Sequence, residues 1–222
     1  MPIAGKGMLL TSMDIDPEHE ADFNRWYDRE HLEERVAIEG FNEARRYVAE
    51  DGAPKYLFLY STETIDVLNS PAYKARLANP TEWSKKTMAH FRNMIRSVAR
   101  ITISRGKGRG ATLGIIRLRP RGENEADLRH VIRNNLEPAA LDGVISMHLI
   151  ENDAALSGPT AEIPAAAGAG ANDWFVLIDA ANVPAAREAL TNLASDSRIK
   201  TAVASSGIYR LLWDISKDEI SA

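Results

Sequence analysis

FNRWYDREHLEERVAIEGFNEARRY, residues 23–47, changes its period part-way along. At helical spacing Phe23, Trp26, Tyr27, Glu30, His31, Glu34 and Ile38 fall on one broad face. Gly40 then breaks the helix, and Phe41–Ala49 reads as a strand. A helix that only packs would keep its inner stripe apolar. Here Glu30 and Glu34 interrupt it, so they either sit at a solvated edge or line a cavity. His31 has Tyr27 four residues before it and Glu34 three after, both neighbours on a helix.

Upstream, Met8–Ile15 is apolar enough for a buried strand, and Asp16-Pro17 reads as the cap and first turn of the helix. Downstream, Glu50–Pro54 is turn-rich and joins the second strand to Lys55–Ser61 as a hairpin. Helical segments are expected over 64–78 and 81–94, then a strand over Arg96–Arg105. The second half repeats this order. Strands are expected at Thr112–Leu118, Val144–Ile150, Trp174–Ala180 and Thr201–Trp213, with helices at Glu123–Leu136 and Pro184–Ala194.

Two internal matches support a repeat. EHEADF (18–23) corresponds to ENEADL (123–128), and IEGFNEARRYVAED (38–51) to LDGVISMHLIENDA (141–154). The reading is therefore α+β: two fused ferredoxin-like βαββαβ repeats, residues 1–105 and 111–222, joined by a flexible glycine-rich linker at 106–110. Each four-stranded sheet leaves one face uncovered by helices, and the two repeats can cover each other sheet against sheet. Further self-association, a homodimer for example, stays open. Residues 154–171, rich in Ala, Gly and Pro, read as a mobile loop in the second repeat.

Composition narrows the function classes. The 222 residues carry 27 basic and 31 acidic side chains, net −4, which argues against a nucleic-acid or anionic-membrane partner. There is no cysteine, so disulfides, thiolate metal sites and cysteine nucleophiles are excluded, in keeping with a cytoplasmic protein. Residues 1–16 do not read as a signal peptide, and no apolar run approaches the ~20 residues of a membrane span. No metal signature, P-loop, dinucleotide fingerprint or nucleophile elbow is present.

The order F-x-x-W-Y-x-x-x-H-L, then G-F, then R-R-Y resembles EthD-like proteins of the dimeric α+β barrel superfamily. Phe23, Trp26, Tyr27, His31 and Gly40 carry the likeness, which covers residues 7–104; over 110–215 only the topology corresponds. Prolines common in that group after the histidine and before the glycine are here Glu33 and Glu39. The second repeat has Val131-Ile132 in place of Trp26-Tyr27 and lacks the motif, so it reads as scaffold. The superfamily spans monooxygenases, isomerases, cyclases, dehydratases, lyases and haem-handling enzymes, so the fold does not choose the reaction.

From spacing alone His31 reads as a packed or capping histidine. The resemblance implies instead that it lines an active cavity between the sheet and helices of the first repeat. On that footing His31 is the candidate general acid/base, supported by Glu34 or Glu30, for lyase, dehydratase or isomerase chemistry without a cofactor. Phe23, Trp26 and Tyr27 would shape a pocket for an apolar, aromatic-accepting organic substrate. Arg45 and Tyr47 share one strand face and Arg46 takes the other; whichever face turns inward could hold a carboxylate or phenolate. His90 on the later helix is a candidate at the cavity mouth. Two alternatives are haem held by His31 or His90, or cofactor-free oxidation, and a non-catalytic ligand-binding or assembly module.

Overall fold

The computed structural model describes residues 3–158 and 169–220. The first half runs β1 (Gly7–Ile15), α1 (Glu20–Trp26), a π-helical turn (Tyr27–His31), α2 (Leu32–Val36), β2 (Phe41–Asp51), β3 (Tyr56–Thr62), α3 (Pro71–Ala78), α4 (Glu82–Met88) and β4 (Phe91–Gly106). The second runs β5 (Thr112–Leu118), α5 (Glu125–Asn135), β6 (Val144–Asn152), β7 (Trp174–Ala180), α6 (Val183–Ser195), α7 (Ser197–Ala202) and β8 (Val203–Ser216), with α8 (Lys217–Ile220) after it.

The eight strands close into one antiparallel barrel in the order β1-β3-β2-β8-β5-β7-β6-β4. Within each half the order is that of a ferredoxin-like unit. The halves meet where β2 pairs with β8 and where β4 pairs with β6. Closure leaves no strand edge to template aggregation. It also covers the inner face of both sheets within a single chain.

Strand alternation sorts the side chains into two environments. Met8, Leu10, Leu57, Leu59 and Leu177 fill the barrel interior. Leu9, Met13, Phe58, Tyr60 and Val98 turn outward beneath Phe23, Trp26 and Leu32 of the first-half helices. The second half has its own outer core, in which Ile116, Val176 and Ile178 meet Leu128, Val131 and Ile132. Gly40 has φ +82°, which lets the chain turn from α2 into β2.

Several local expectations are corrected. The helix expected to run to residue 94 ends at Met88, because Phe91 and Arg92 pair with Ile15 and Asp14 and extend β4. Asp16 precedes a short 3₁₀ turn, but its side chain makes no capping bond and instead accepts from Arg92 at 2.8 Å. Residues 197–202 form a helix where the last strand was expected to begin. The 106–110 segment is tied down: Gly108 O accepts from Ser146 Oγ and Gly110 N donates to Asp179. A Cβ on Gly110 would lie 2.0 Å from Ala180 O. Of the loop at 154–171, residues 159–168 lie outside the described residues.

Candidate functional site

Tyr27–His31 is the π turn of the first helix, with Leu32 N–H donating to Tyr27 O five residues back. Such turns recur at functional sites because they realign side chains that an α-helix would stagger. Here Tyr27 and His31 both turn under the helix against the sheet. The His31 ring stacks on Trp26 with centroids 4.0 Å apart and meets Tyr27 edge-on at 5.1 Å.

His31 is 7% exposed. Its Nε2 accepts from Arg35 Nε at 3.4 Å, which places the proton of the neutral ring on Nδ1. Nδ1 is buried, lies 3.7 Å from Glu34 Oε2, and has no hydrogen-bond partner. Burial holds the imidazole well below its usual range, and the charges of Arg35 and Arg76 push the same way. Glu34 does not offset them, since Arg76 of α3 already neutralises its carboxylate. A buried polar atom without a partner calls for an explanation, and a reacting group is one of the few.

The ring borders a cavity of about 30 Å³ between helices and sheet. That holds one or two water molecules. Its polar wall is His31, Arg35, Tyr27, Tyr60, Thr11 and Arg96, and Met13, Met88, Phe91 and Met94 supply much of the apolar wall. Tyr27 is a neutral phenol: burial raises its pKa well above 10, and its hydroxyl points at Met13 Sδ, 3.9 Å away.

The other candidates divide. Phe23 and Trp26 are fully buried core rings that support the site without lining the cavity. Glu30 also stays outside it. Its Oε1 accepts from Trp26 Nε1 at 3.0 Å, Thr81 Oγ1 at 2.6 Å and Ser84 Oγ at 3.2 Å, so it latches α4 onto the first helix. His90 stacks on His19, centroids 3.5 Å apart, beside a separate surface pocket that includes Glu18 and Asp22.

Arg45 and Tyr47 face the barrel interior, away from His31. Arg45 donates to Glu43 at 2.8 Å and to Asp179 of β7 at 3.5 Å. This seam continues through Ser146, whose Oγ lies 3.3 Å from Asp179 Oδ2 and 3.0 Å from His148 Nε2. Ser146 and Asp179 both approach Nε2, and Ser104 takes Nδ1, so the group is not a nucleophile relay. Arg46 is the residue that turns toward the helices. Its guanidinium lies over Tyr27 at 5.2 Å and Tyr56 at 5.5 Å and pairs with Asp28.

Sequence reasoning missed Arg35 and Arg96. Arg35 lies four residues past His31, a spacing that placed it within reach. Arg96 carried no signal, because the expected helix ran almost up to it.

A larger groove of about 440 Å³ lies in the second half between α5 and α7. Two of its arginines are already occupied, Arg119 with Asp173 and Arg198 with Asp196. Among the described residues no cluster of three His, Cys, Asp or Glu is placed to hold a metal ion, and no helix is long and apolar enough to cross a membrane. Haem does not fit either histidine as it stands. His31 has its Nε2 on Arg35 and a two-water cavity before it, and His90 is stacked face-on against His19.

Neither a protein-family model nor a curated protein matches the chain. Solved structures do. An anthrone oxidase-like protein superposes with a TM-score of 0.62 at 12% identity, over 98% of this chain and 96% of that one. A candidate monooxygenase of Fusobacterium nucleatum gives 0.57 at 11% identity, over 96% and 95%. A protein described as a candidate chlorite dismutase gives 0.55 at 10% identity, over 98% of both. The fold is the dimeric α+β barrel. At such identities the likeness speaks for architecture and leaves the chemistry to the site.

Proposed function

We propose that this chain is a small-molecule enzyme that works without a cofactor, with His31 exchanging a proton with the substrate at Nδ1. The observation that carries this reading is a buried imidazole, held neutral, whose Nδ1 has no partner and which borders a cavity beside a carboxylate. A neutral ring at pH 7 can hold a substrate oxygen by its N–H and pass a proton as charge develops. Glu34 stands close enough to take part once Arg76 moves, and Tyr27 keeps its phenolic proton throughout.

Acid/base chemistry of the elimination, isomerisation or lyase type suits these groups. The inward-facing histidine on an aromatic first helix also supports placing the chain among EthD-like proteins. In the closed form the cavity is smaller than a substrate, so binding requires its methionine and phenylalanine walls to part; Met88 and Met94 are flexible enough to do so.

The test is a turnover screen on apolar organic acids and enolisable ketones, followed by His31→Ala. Loss of about 100-fold or more in kcat is expected, with the fold intact by circular dichroism. A folded His31→Ala enzyme that keeps wild-type turnover would end the assignment.

A further inference from the structure

Arg96 lies on β4 opposite Thr11 of β1, on the face that carries Met94 and Val98 toward the helices. It is 3% exposed and borders the His31 cavity. The other buried strand arginines are met by carboxylates, Arg45 by Glu43 and Asp179, Arg46 by Asp28. Among the described residues no carboxylate lies within ion-pair range of Arg96. Its only acceptors there are two backbone carbonyls, Leu156 O at 2.9 Å and Gly158 O at 3.2 Å, both on Nη1.

Leu156 and Gly158 belong to the segment after β6, so the second half reaches across to hold this guanidinium by one edge. Among the described residues neither Nε nor Nη2 has an acceptor. A buried cation is expensive unless something neutralises it. No carboxylate lines the cavity, and its histidine is held neutral.

We propose that Arg96 holds the anionic oxygen of the substrate, and that the ligand of this cavity is an apolar compound bearing a carboxylate or an ionised phenol or enol. The free edge of a guanidinium presents paired donors, which suits an anionic oxygen better than a neutral one. The rest of the wall takes the apolar body, through Leu9, Met13, Met88 and Met94. The second half thereby contributes to the site through its grip on Nη1. This inference rests on the same cavity as the function proposed above and deepens it by naming the charge of the ligand.

The test uses full-length protein labelled with [methyl-¹³C]methionine, titrated with benzoate, 4-nitrophenolate at pH 8.5, and the neutral isosteres benzamide and nitrobenzene. The anions are expected to shift the methyl signals of Met13, Met88 and Met94 and to bind about tenfold or more tightly than their isosteres. A preference for benzoate assigns a carboxylate substrate; a preference for 4-nitrophenolate assigns a phenol or enol. Arg96→Gln should abolish the discrimination and Arg96→Lys should keep part of it.

Equal binding of charged and neutral probes to the wild-type protein, or no shift with either anion, overturns the proposal without reference to any variant. So does an Arg96→Gln protein that still selects the anions. If the anions bind as expected but His31→Ala leaves turnover unchanged, the ligand class stands and the role given to His31 falls.

Discussion

The two halves are built from the same succession of strands and helices, yet the layer between helices and sheet differs completely. In the second half Leu128, Val131, Ile132 and Leu136 meet Ile116, Val176 and Ile178, a largely aliphatic fill with Trp174 in it and one carboxylate, Glu151, held by Arg129 of α5. In the first half the same layer is rich in aromatic rings, and Tyr27, Tyr60, Tyr73 and Phe91 with His31, Arg35 and Arg96 surround a small void. An aliphatic layer can close to crystal-like density. One that contains His31, Arg35 and Arg96 must leave polar atoms unmatched or supply them with a ligand. The lesson is that two halves of like topology close one barrel, and the first keeps a small polar void in the layer between helices and sheet.

The seam between the halves gives the hardest way to break that arrangement. Asp179→Ala would leave Arg45 buried with Glu43 as its one carboxylate partner, and a loss of about 3–5 kcal/mol is expected. Urea unfolding measures it, and a loss below about 1 kcal/mol would mean that the seam does not hold the halves together.

Next is acid sensitivity. Burial, with Arg45 nearby, pushes the His148 imidazole down to about 4, whereas in the unfolded chain it titrates near 6.5. The unfolded state therefore binds a proton that the folded state refuses. Stability is complete above about pH 6.5 and falls as the pH drops toward 4, by roughly 3 kcal/mol for this one group. His31 is shifted in the same direction and adds to the loss, while the raised carboxyl of Asp179 opposes it at the acid end. His148→Leu should flatten the profile over that window, and an unchanged profile would place the acid sensitivity elsewhere.

The finest comparison concerns the pair that ties α3 to the site. Arg76→Gln frees Glu34 to face His31 and removes a positive charge, so the His31 pKa should move up toward its usual range. Histidine NMR titration reads this directly. A His31 value that stays put would show that Glu34 does not sense the ring.

Much of this was legible beforehand. The order of elements, the hairpin after β2, and the contrast between an aromatic first helix and its aliphatic counterpart follow from period, glycine placement and residue type. The adjacency of His31 to Tyr27 and Glu34 follows from helical spacing. The phase of β2 was not legible. Both its faces are buried and both carry an arginine, so alternation alone does not say whether Arg45 or Arg46 meets the helices. The start of β4 was misread because 89–94 has no strong strand pattern of its own and becomes a strand by pairing with the end of β1.

What the chain determined by itself was therefore local and periodic: eight strands, the helices between them, and a histidine among rings on one helical face. Tertiary structure decided which charges share a space. Asp179 reaches Arg45 across 134 positions, and Leu156 and Gly158 reach Arg96 across about sixty. Such pairings depend on how the barrel closes, because electrostatic and hydrogen-bond energies are set by distance in space, and nothing in residue order encodes that distance until the sheet is complete.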